Sequence, residues 1–137
     1  MSTRTFDFDG RSLKVGNAGK VLFPDIGLTE GELAHYYSRV ADTMLPHLKG
    51  RPISIQRFPN GIDKPGFYAK QAPDHFPEWI DRVTIRVLES GEEQPQVVIN
   101  NPATLVYLVD QATITLHTWL SCTTDLNHPD KLIFDLD

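Results

Sequence analysis

The segment from Thr29 to Gly50 constrains the fold most, because it carries the signals for both ends of one long helix. Thr29, followed three residues later by Glu32, matches a capping box, in which each side chain accepts a hydrogen bond from the backbone N–H of the other residue. A lysine and a glycine at Lys49-Gly50 are typical of a helix C-terminus. The sequence therefore predicts an amphipathic helix, and its apolar face is expected to comprise residues at helical spacing: Leu33, Tyr36, Tyr37, Val40, Met44 and Leu48.

Short segments with the two-residue alternation of β-strands surround this helix. Asp9-Gly10 lies between two such segments and predicts a hairpin turn. Asn101-Pro102 predicts the start of a second helix, with a capping side chain followed by a first-turn proline. The other predicted strands are PISIQRF, FYAKQ, RVTIRVLE, PQVVIN, ITLHTWL and KLIFDLD. We expect an α+β fold with a mixed or antiparallel sheet and two main helices, forming a single domain over residues 1–137.

Composition excludes several classes of protein. No apolar run approaches the roughly 20 residues of a membrane span, and the N-terminus lacks the apolar core of a signal peptide, so we expect a cytoplasmic protein without a membrane partner. The single cysteine excludes an internal disulfide framework. The net charge of −5 argues against a nucleic-acid partner, but the stretch 49–70 holds five basic residues and only Asp63 as an acid. Such a local cluster can bind an anion whatever the total charge, although a solvated surface also produces clusters of this kind.

Two carboxylates close the sequence, in KLIFDLD. In a strand, Asp135 and Asp137 would lie on one face, where they repel each other unless a cation lies between them. Mg²⁺ or Mn²⁺ would remove this conflict. Acids on a solvated strand end are the simpler interpretation. Two enzyme classes place this pattern after an apolar strand: metal-dependent phosphatases, which have a Gly-Thr or similar sequence after the second Asp, and primase-like polymerases.

Three longer stretches resemble the second class: NAGKVLFPDIGLTEGELAHYYSRVADTMLPHLKGRPISIQRFPNGIDKPGFYAKQ, NPATLVYLVDQATITLHTWLS and HPDKLIFDLD. In order and spacing they resemble the N-terminal half of the polymerase domain of bacterial DNA ligase D, a module of the archaeo-eukaryotic primase type. The resemblance implies a nucleotidyltransferase of non-homologous end joining that adds nucleotides against a template at double-strand break ends or gaps and prefers ribonucleotides. It further implies Mn²⁺ or Mg²⁺ as cofactor, DNA with a 5′-phosphate and a nucleoside triphosphate as partners, and a place at the bacterial nucleoid.

The resemblance assigns roles to particular residues, and each role has a structural alternative. Asp135 and Asp137 correspond to two of three catalytic metal ligands. The residues assigned to the downstream 5′-phosphate are Asn17 and Lys20, those assigned to template and duplex are Arg57, Phe67, Tyr68 and Lys70, and the one assigned to the incoming nucleotide is His117. Without the resemblance, His117 would be a core histidine, and one of the two adjacent aromatic residues in FYAK would be buried.

Departures from the family pattern are expected to weaken the binding of DNA. Glu30 stands where the family usually has a basic residue for the 5′-phosphate, and Gln56 stands where one is often found beside the arginine. The segment that supplies the third carboxylate has no counterpart here, so the resemblance implies an incomplete module whose partners include a complementary polymerase half, a ligase domain or Ku. A non-catalytic module that binds DNA 5′-phosphate ends stays open as an alternative, with a phosphatase fragment as a distant third.

Overall fold

The computed structural model describes residues 2–137. Its elements, in chain order, are β1 (Arg4–Phe8), β2 (Arg11–Val15), β3 (Val21–Phe23), β4 (Leu28–Thr29), α1 (Glu30–Leu48), β5 (Ile53–Arg57), β6 (Phe67–Ala69), β7 (Arg82–Arg86), β8 (Glu93–Val97), α2 (Pro102–Asp110) and β9 (Thr113–Thr118). Every strand pairing among these residues is antiparallel. The α+β class and the two main helices are confirmed, and the strands form four small sheets.

The predicted signals at the ends of α1 are confirmed. Glu32 N donates a hydrogen bond to Thr29 Oγ1 over 3.2 Å, and Thr29 N donates to Glu32 Oε2 over 2.9 Å, which completes the capping box. Gly50 follows the helix with a φ of +70°, a conformation that glycine adopts without strain. The predicted apolar face is confirmed in part, because Leu33 and Leu48 are buried, whereas Tyr36 is exposed. The buried residues of the helix are Glu30, Gly31, Leu33, Ala34, Ala41, Leu45 and Leu48.

Strand β5 is the centre of the three-stranded sheet β6-β5-β9. Alternation along β5 buries Ile53 and Ile55 on one face, which belong to a core cluster with residues of α1 and α2. A second cluster joins the β1-β2 hairpin, β3 and both helices, and it includes Val15, Leu22 and Val106. The two helices thus pack on both the N-terminal hairpin and the central sheet.

Two expectations about strands are wrong. The stretch NAGKVLFPDIG, residues 17–27, is rich in turn formers and was expected to be a loop, but it contains β3, which pairs with β4. Residues 131–137, expected as a strand, form no strand and are exposed. The β1-β2 hairpin is confirmed, and Asp9 and Gly10 both have positive φ in its two-residue turn. Neither α1 nor α2 combines the length and apolar composition needed to cross a membrane.

Candidate nucleic-acid interface

The loop of residues 16–20 connects β2 to β3 and is attached to both helices. Gly16 N donates a hydrogen bond to Asp110 Oδ1, at the end of α2, over 2.9 Å. Glu30 N and Gly31 N, at the start of α1, donate to the carbonyl oxygens of Lys20 and Ala18 over 2.8 and 2.9 Å. Packing fixes the position of this 16–20 loop, because two helix ends hold its backbone.

Two predicted phosphate ligands, Asn17 and Lys20, lie on this loop and line one cavity of about 440 Å³, together with Ser2 and Gly19. The cavity is therefore lined by an amide, a hydroxyl and an ammonium group. These groups donate hydrogen bonds to phosphate oxygens, and the ammonium adds charge. The structure thus brings together the two residues that were predicted to bind one anion.

Glu30 lies beside this loop in a different environment from the one expected. It is only 2% exposed, and its Oε2 atom has no hydrogen-bond partner among the described residues. Burial, and to a smaller extent the negative charge of Asp110, raise the pKa of the Glu30 carboxyl to about 7 against the opposing positive charge of Lys20. Glu30 is therefore a buried acid that titrates near neutral pH and is poorly accessible to solvent at the helix start.

Two of the residues predicted to contact DNA or nucleotide meet on the outer face of the central sheet. Tyr68 of β6 and His117 of β9 lie on opposite sides of β5, and their ring centroids are 5.7 Å apart with planes inclined by 44°. Both side chains are exposed, so His117 is not the core histidine that its strand alone would suggest. An exposed pair of rings on a sheet is a surface on which a nucleobase can stack.

Lys70 follows β6 and lines a groove of about 360 Å³ with residues that the sequence reasoning missed, chiefly Ser54, Gln96 and Trp119. Gln96 Nε2 donates a hydrogen bond to Ser54 Oγ over 3.2 Å, and Ser54 is the cross-strand partner of His117. The alternation in PISI could have placed Ser54 on the outer face, opposite Ile53 and Ile55. The sequence contains no signal that brings Gln96 to the same groove.

Arg57 and Phe67 are direct cross-strand partners at the end of the sheet. The guanidinium carbon of Arg57 lies 5.1 Å from the ring centroid of Phe67, and its Nε donates a hydrogen bond to the Gln111 carbonyl over 2.7 Å. Phe67 and Tyr68 are 47% and 61% exposed, so neither is the core residue that alternation suggested. The Gln111 bond orients the guanidinium through Nε, and its other nitrogen atoms, which have no hydrogen-bond partner within residues 2–137, can donate to a phosphate.

Asp135 and Asp137 lie apart from these groups, on the exposed segment 131–137. Within residues 2–137 this segment forms no hydrogen bond or ion pair, and no three metal-ligating side chains lie together. Two carboxylates fit the oxygen preference of Mg²⁺ or Mn²⁺, and water or substrate phosphates commonly supply further ligands. The donor type therefore fits a divalent ion, while the number of donors predicts weak binding.

Comparisons with known proteins identify bacterial end-joining proteins that are similar to this chain. The chain is 32% identical over 127 residues to the multifunctional non-homologous end joining protein LigD of Mycolicibacterium smegmatis, covering 91% of this chain and 16% of that protein. It is 30% identical over 125 residues to the corresponding Pseudomonas aeruginosa protein, covering 91% and 15%. The chain therefore spans less than a fifth of the length of these curated relatives.

A solved structure, the polymerase domain of Mycobacterium tuberculosis ligase D in complex with DNA, superposes with a TM-score of 0.72 at 35% identity. This match covers 76% of the present chain and 36% of the solved one. The family model of the LigD primase-polymerase domain matches residues 29–137. This range is most of the sequence, and the chain therefore belongs to the LigD primase-polymerase domain family.

Proposed function

We propose that this chain forms one domain-sized part of an end-joining repair polymerase, which adds nucleotides against a template at broken DNA ends or gaps and recognises a downstream 5′-phosphate. The cavity of the 16–20 loop carries this proposal, since Asn17 and Lys20 line it together and both helices hold its backbone. The polymerase domain of the M. tuberculosis protein was solved with DNA, which supports DNA as the partner. A nucleoside triphosphate, Ku and a ligase domain are further partners under the same proposal.

The side chains would bind different parts of the DNA and nucleotide according to their positions. Lys20 and Asn17 would bind the terminal phosphate oxygens, and Lys70 would attract a backbone phosphate at its groove. Tyr68 and His117 would stack on bases of the template or of the incoming nucleotide. Arg57 is oriented by its bond to Gln111 and its contact with Phe67, so its guanidinium would bind a phosphate near the end of the sheet without first being ordered.

Asp135 and Asp137 would hold Mn²⁺ or Mg²⁺. A bound divalent ion would neutralise charge on the triphosphate and on the attacking oxygen. The contribution of this chain is to supply two oxygen ligands close together in sequence.

The same structure favours one second candidate, a non-catalytic module that binds DNA 5′-phosphate ends. The residues of the 16–20 loop cavity belong to a loop held by both helices, whereas both acids lie on an exposed segment that forms no hydrogen bond within residues 2–137. Binding of the DNA end by this chain therefore requires less additional structure than metal-dependent catalysis does. Both candidates predict a preference for the 5′-phosphate, and only the polymerase also requires Asp135 and Asp137.

Fluorescence anisotropy with a short gapped duplex tests the shared part. The duplex carries a 5′-phosphate in one arm and a 5′-hydroxyl in the other, over a series of salt concentrations. Wild-type protein is expected to prefer the phosphate, and Lys20→Ala to lose that preference and about one unit of salt slope.

Lys14→Ala is the matched control, because Lys14 is an exposed lysine on β2 that does not line the cavity. It removes the same charge from a neighbouring element and should keep the phosphate preference. Equal binding of both duplexes by wild-type protein, or equal losses in the two variants, would contradict the proposal.

A further inference from the structure

Glu30 is the one described acid that is both fully buried and incompletely hydrogen-bonded. Its backbone N–H donates to the Lys20 carbonyl over 2.8 Å, and its side chain is 2% exposed with no partner for Oε2. The residue is therefore joined directly to the backbone of a cavity-lining lysine. A buried carboxylate without a full set of hydrogen bonds is costly, so this environment favours the protonated form.

Two charged groups from the elements packed against α1 act on the Glu30 carboxyl. Lys20, from the 16–20 loop, favours the carboxylate, and Asp110, from the end of α2, opposes it. Asp110 also accepts the hydrogen bond from Gly16 N, so it belongs to the same attachment of the loop. Glu30, Lys20 and Asp110 therefore form one electrostatic group around the loop that lines the cavity.

We propose that Glu30 sets the affinity of the 16–20 loop cavity for a phosphate monoester, and that the cavity binds this anion more tightly when the Glu30 carboxyl is protonated than when it is ionised. The proposal rests on the proposed function, because it concerns the same 5′-phosphate site. An ionised Glu30 attracts the Lys20 ammonium and repels the incoming anion, and burial of the carboxyl reduces the screening of both effects. A proton on Glu30 removes both effects and leaves Lys20 to pair with the phosphate.

Linkage gives the sign of the pH dependence. The cavity with Glu30 ionised is the weaker binder, so affinity falls as pH rises through the titration of this carboxyl. A bound phosphate must in turn raise the Glu30 pKa, because ligand and proton favour the same state of the protein. The phosphate monoester itself takes up a proton near pH 6, so wild-type protein alone gives a mixed profile. Comparison with Glu30→Gln at each pH removes the titration of the phosphate, because both proteins bind the same ligand.

The experiment measures the dissociation constants of the 5′-phosphate and 5′-hydroxyl duplexes at pH 6.0 and 8.5 for wild type, Glu30→Gln, Glu32→Gln and Lys20→Ala. Glu30→Gln is expected to bind the phosphate duplex roughly fivefold more tightly than wild type at pH 8.5 and equally at pH 6.0. Glu32→Gln is the matched control, since it removes an acid from the same helical turn while glutamine can keep the capping box. It should leave the phosphate preference unchanged at both pH values.

Carbon-13 NMR of the Glu30 side-chain carboxyl measures its titration midpoint, which would not respond to the phosphate if Glu30 had only a structural role. Its titration midpoint should shift upward on addition of the 5′-phosphate duplex and stay in place with the 5′-hydroxyl duplex. If wild type prefers the phosphate and Lys20→Ala does not, three results would overturn this proposal while leaving the proposed function intact. Glu30→Gln could bind the phosphate duplex no more tightly than wild type at pH 8.5, or more tightly by the same factor at both pH values. The third result is a Glu30 titration midpoint that does not move when the 5′-phosphate duplex is added. Absence of any phosphate preference in wild-type protein would overturn the proposed function as well.

Discussion

The 16–20 loop and the segment 131–137 both carry residues assigned to chemistry, yet they differ in what fixes them. The loop receives hydrogen bonds from the start of α1 and donates one to the end of α2. The 131–137 segment forms no hydrogen bond within the described residues, and Leu132, Phe134 and Leu136 are 78%, 80% and 91% exposed. Of these two segments, therefore, only the loop is held in place by other residues of the described chain.

This difference separates two kinds of functional residue. Asn17 and Lys20 can be tested as ligands within this chain, because the groups that position them are present. The spacing of Asp135 and Asp137 is a property of the sequence, but the apolar side chains between and around them are largely exposed. Each test below perturbs one side of this comparison, beginning with the largest expected effect on stability.

Glu30→Gln should change how the stability of the loop region depends on pH. The folded pKa of Glu30, about 7, lies above its ordinary value of 4.5, so the folded state holds the proton more tightly. This contribution to stability is fully present below the ordinary pKa and is lost as pH rises through about 7. Wild type should therefore lose free energy of unfolding on the order of 2 to 3 kcal/mol between pH 4.5 and 8 that the variant does not lose. Urea unfolding of both proteins at several pH values measures this difference.

Parallel curves for wild type and Glu30→Gln would show that the buried carboxyl does not hold its proton more tightly in the folded state. Comparison of the slopes is informative even if the buried amide lowers stability by itself, because that cost is the same at every pH. Glu32→Gln again serves as the control and should reproduce the wild-type slope.

Gly31→Ala should loosen the loop from α1. A Cβ atom at this position would lie 2.9 Å from the Ala18 Cβ and 3.0 Å from the Ala18 carbonyl oxygen, which is too close without a shift of the loop backbone. Alanine normally stabilises a helix relative to glycine, so a loss of about 1 to 2 kcal/mol would identify the contact as its cause. The 5′-phosphate preference should weaken in the same variant, which anisotropy and thermal unfolding would measure together.

Gly16→Ala provides the matched control for this substitution. Its added Cβ would meet only Asp110 Oδ1, at 4.0 Å, so the loop can accept it in place. The comparison fails if the two alanine variants lose stability or phosphate preference equally.

Arg51→Lys should weaken the last attachment before the 131–137 segment. Arg51 is buried and donates two hydrogen bonds of 2.8 Å to Asp130, which a lysine cannot reproduce in the same geometry. The hydrogen bonds from Arg51 hold the pKa of Asp130 below its ordinary value, so this pair stabilises the protein at neutral pH and loses its effect as Asp130 becomes protonated in acid. The variant should have a lower Tm at pH 7, by less than Gly31→Ala, and the difference should shrink below about pH 4. A difference in Tm that persists in acid would show that the pair contributes through packing instead of charge.

The sequence predicted local structure well wherever the deciding interactions are local. Thr29 and Glu32 contact each other across one helical turn, and Asp9-Gly10 closes its hairpin within two residues, so both predictions are confirmed. The buried face of α1 was wrong at Tyr36 because burial depends on where the N-terminal hairpin and the central sheet pack, which spacing does not contain. Alternation also failed for Phe67 and Tyr68, because β6 lies at the edge of its sheet and both faces are open there.

The candidate site shows the same division. The family resemblance named Asn17, Lys20, Tyr68 and His117, and the structure places them in two pairs, one on the loop and one on the sheet. Burial of Glu30 was missed because a helix start usually places an acid in solvent, whereas here the helix start is bonded to the 16–20 loop through tertiary contacts that spacing does not reveal. The strand expected for residues 131–137 requires a partner strand, and none lies beside it among the described residues.

The substitutions Asp135→Asn and Asp137→Asn, made together, should have the smallest effect on stability and the most selective effect on chemistry. Both side chains are exposed and unpaired within residues 2–137, so the free energy of unfolding should change by less than about 0.5 kcal/mol. The 5′-phosphate preference should be unchanged, since neither acid lines the 16–20 loop cavity. Binding of Mn²⁺, measured by water-proton relaxation, should be lost, because two amides cannot replace two carboxylates for a hard cation. Any Mn²⁺-dependent addition of nucleotides to a gapped duplex should be lost with it.

Glu89→Gln with Glu92→Gln is the control, since it removes two exposed acids from the β7-β8 connection. Loss of Mn²⁺ binding confined to the aspartate variant would support the polymerase proposal over the binding module, whereas equal Mn²⁺ binding in all three proteins would show that these acids are not the metal ligands of this chain.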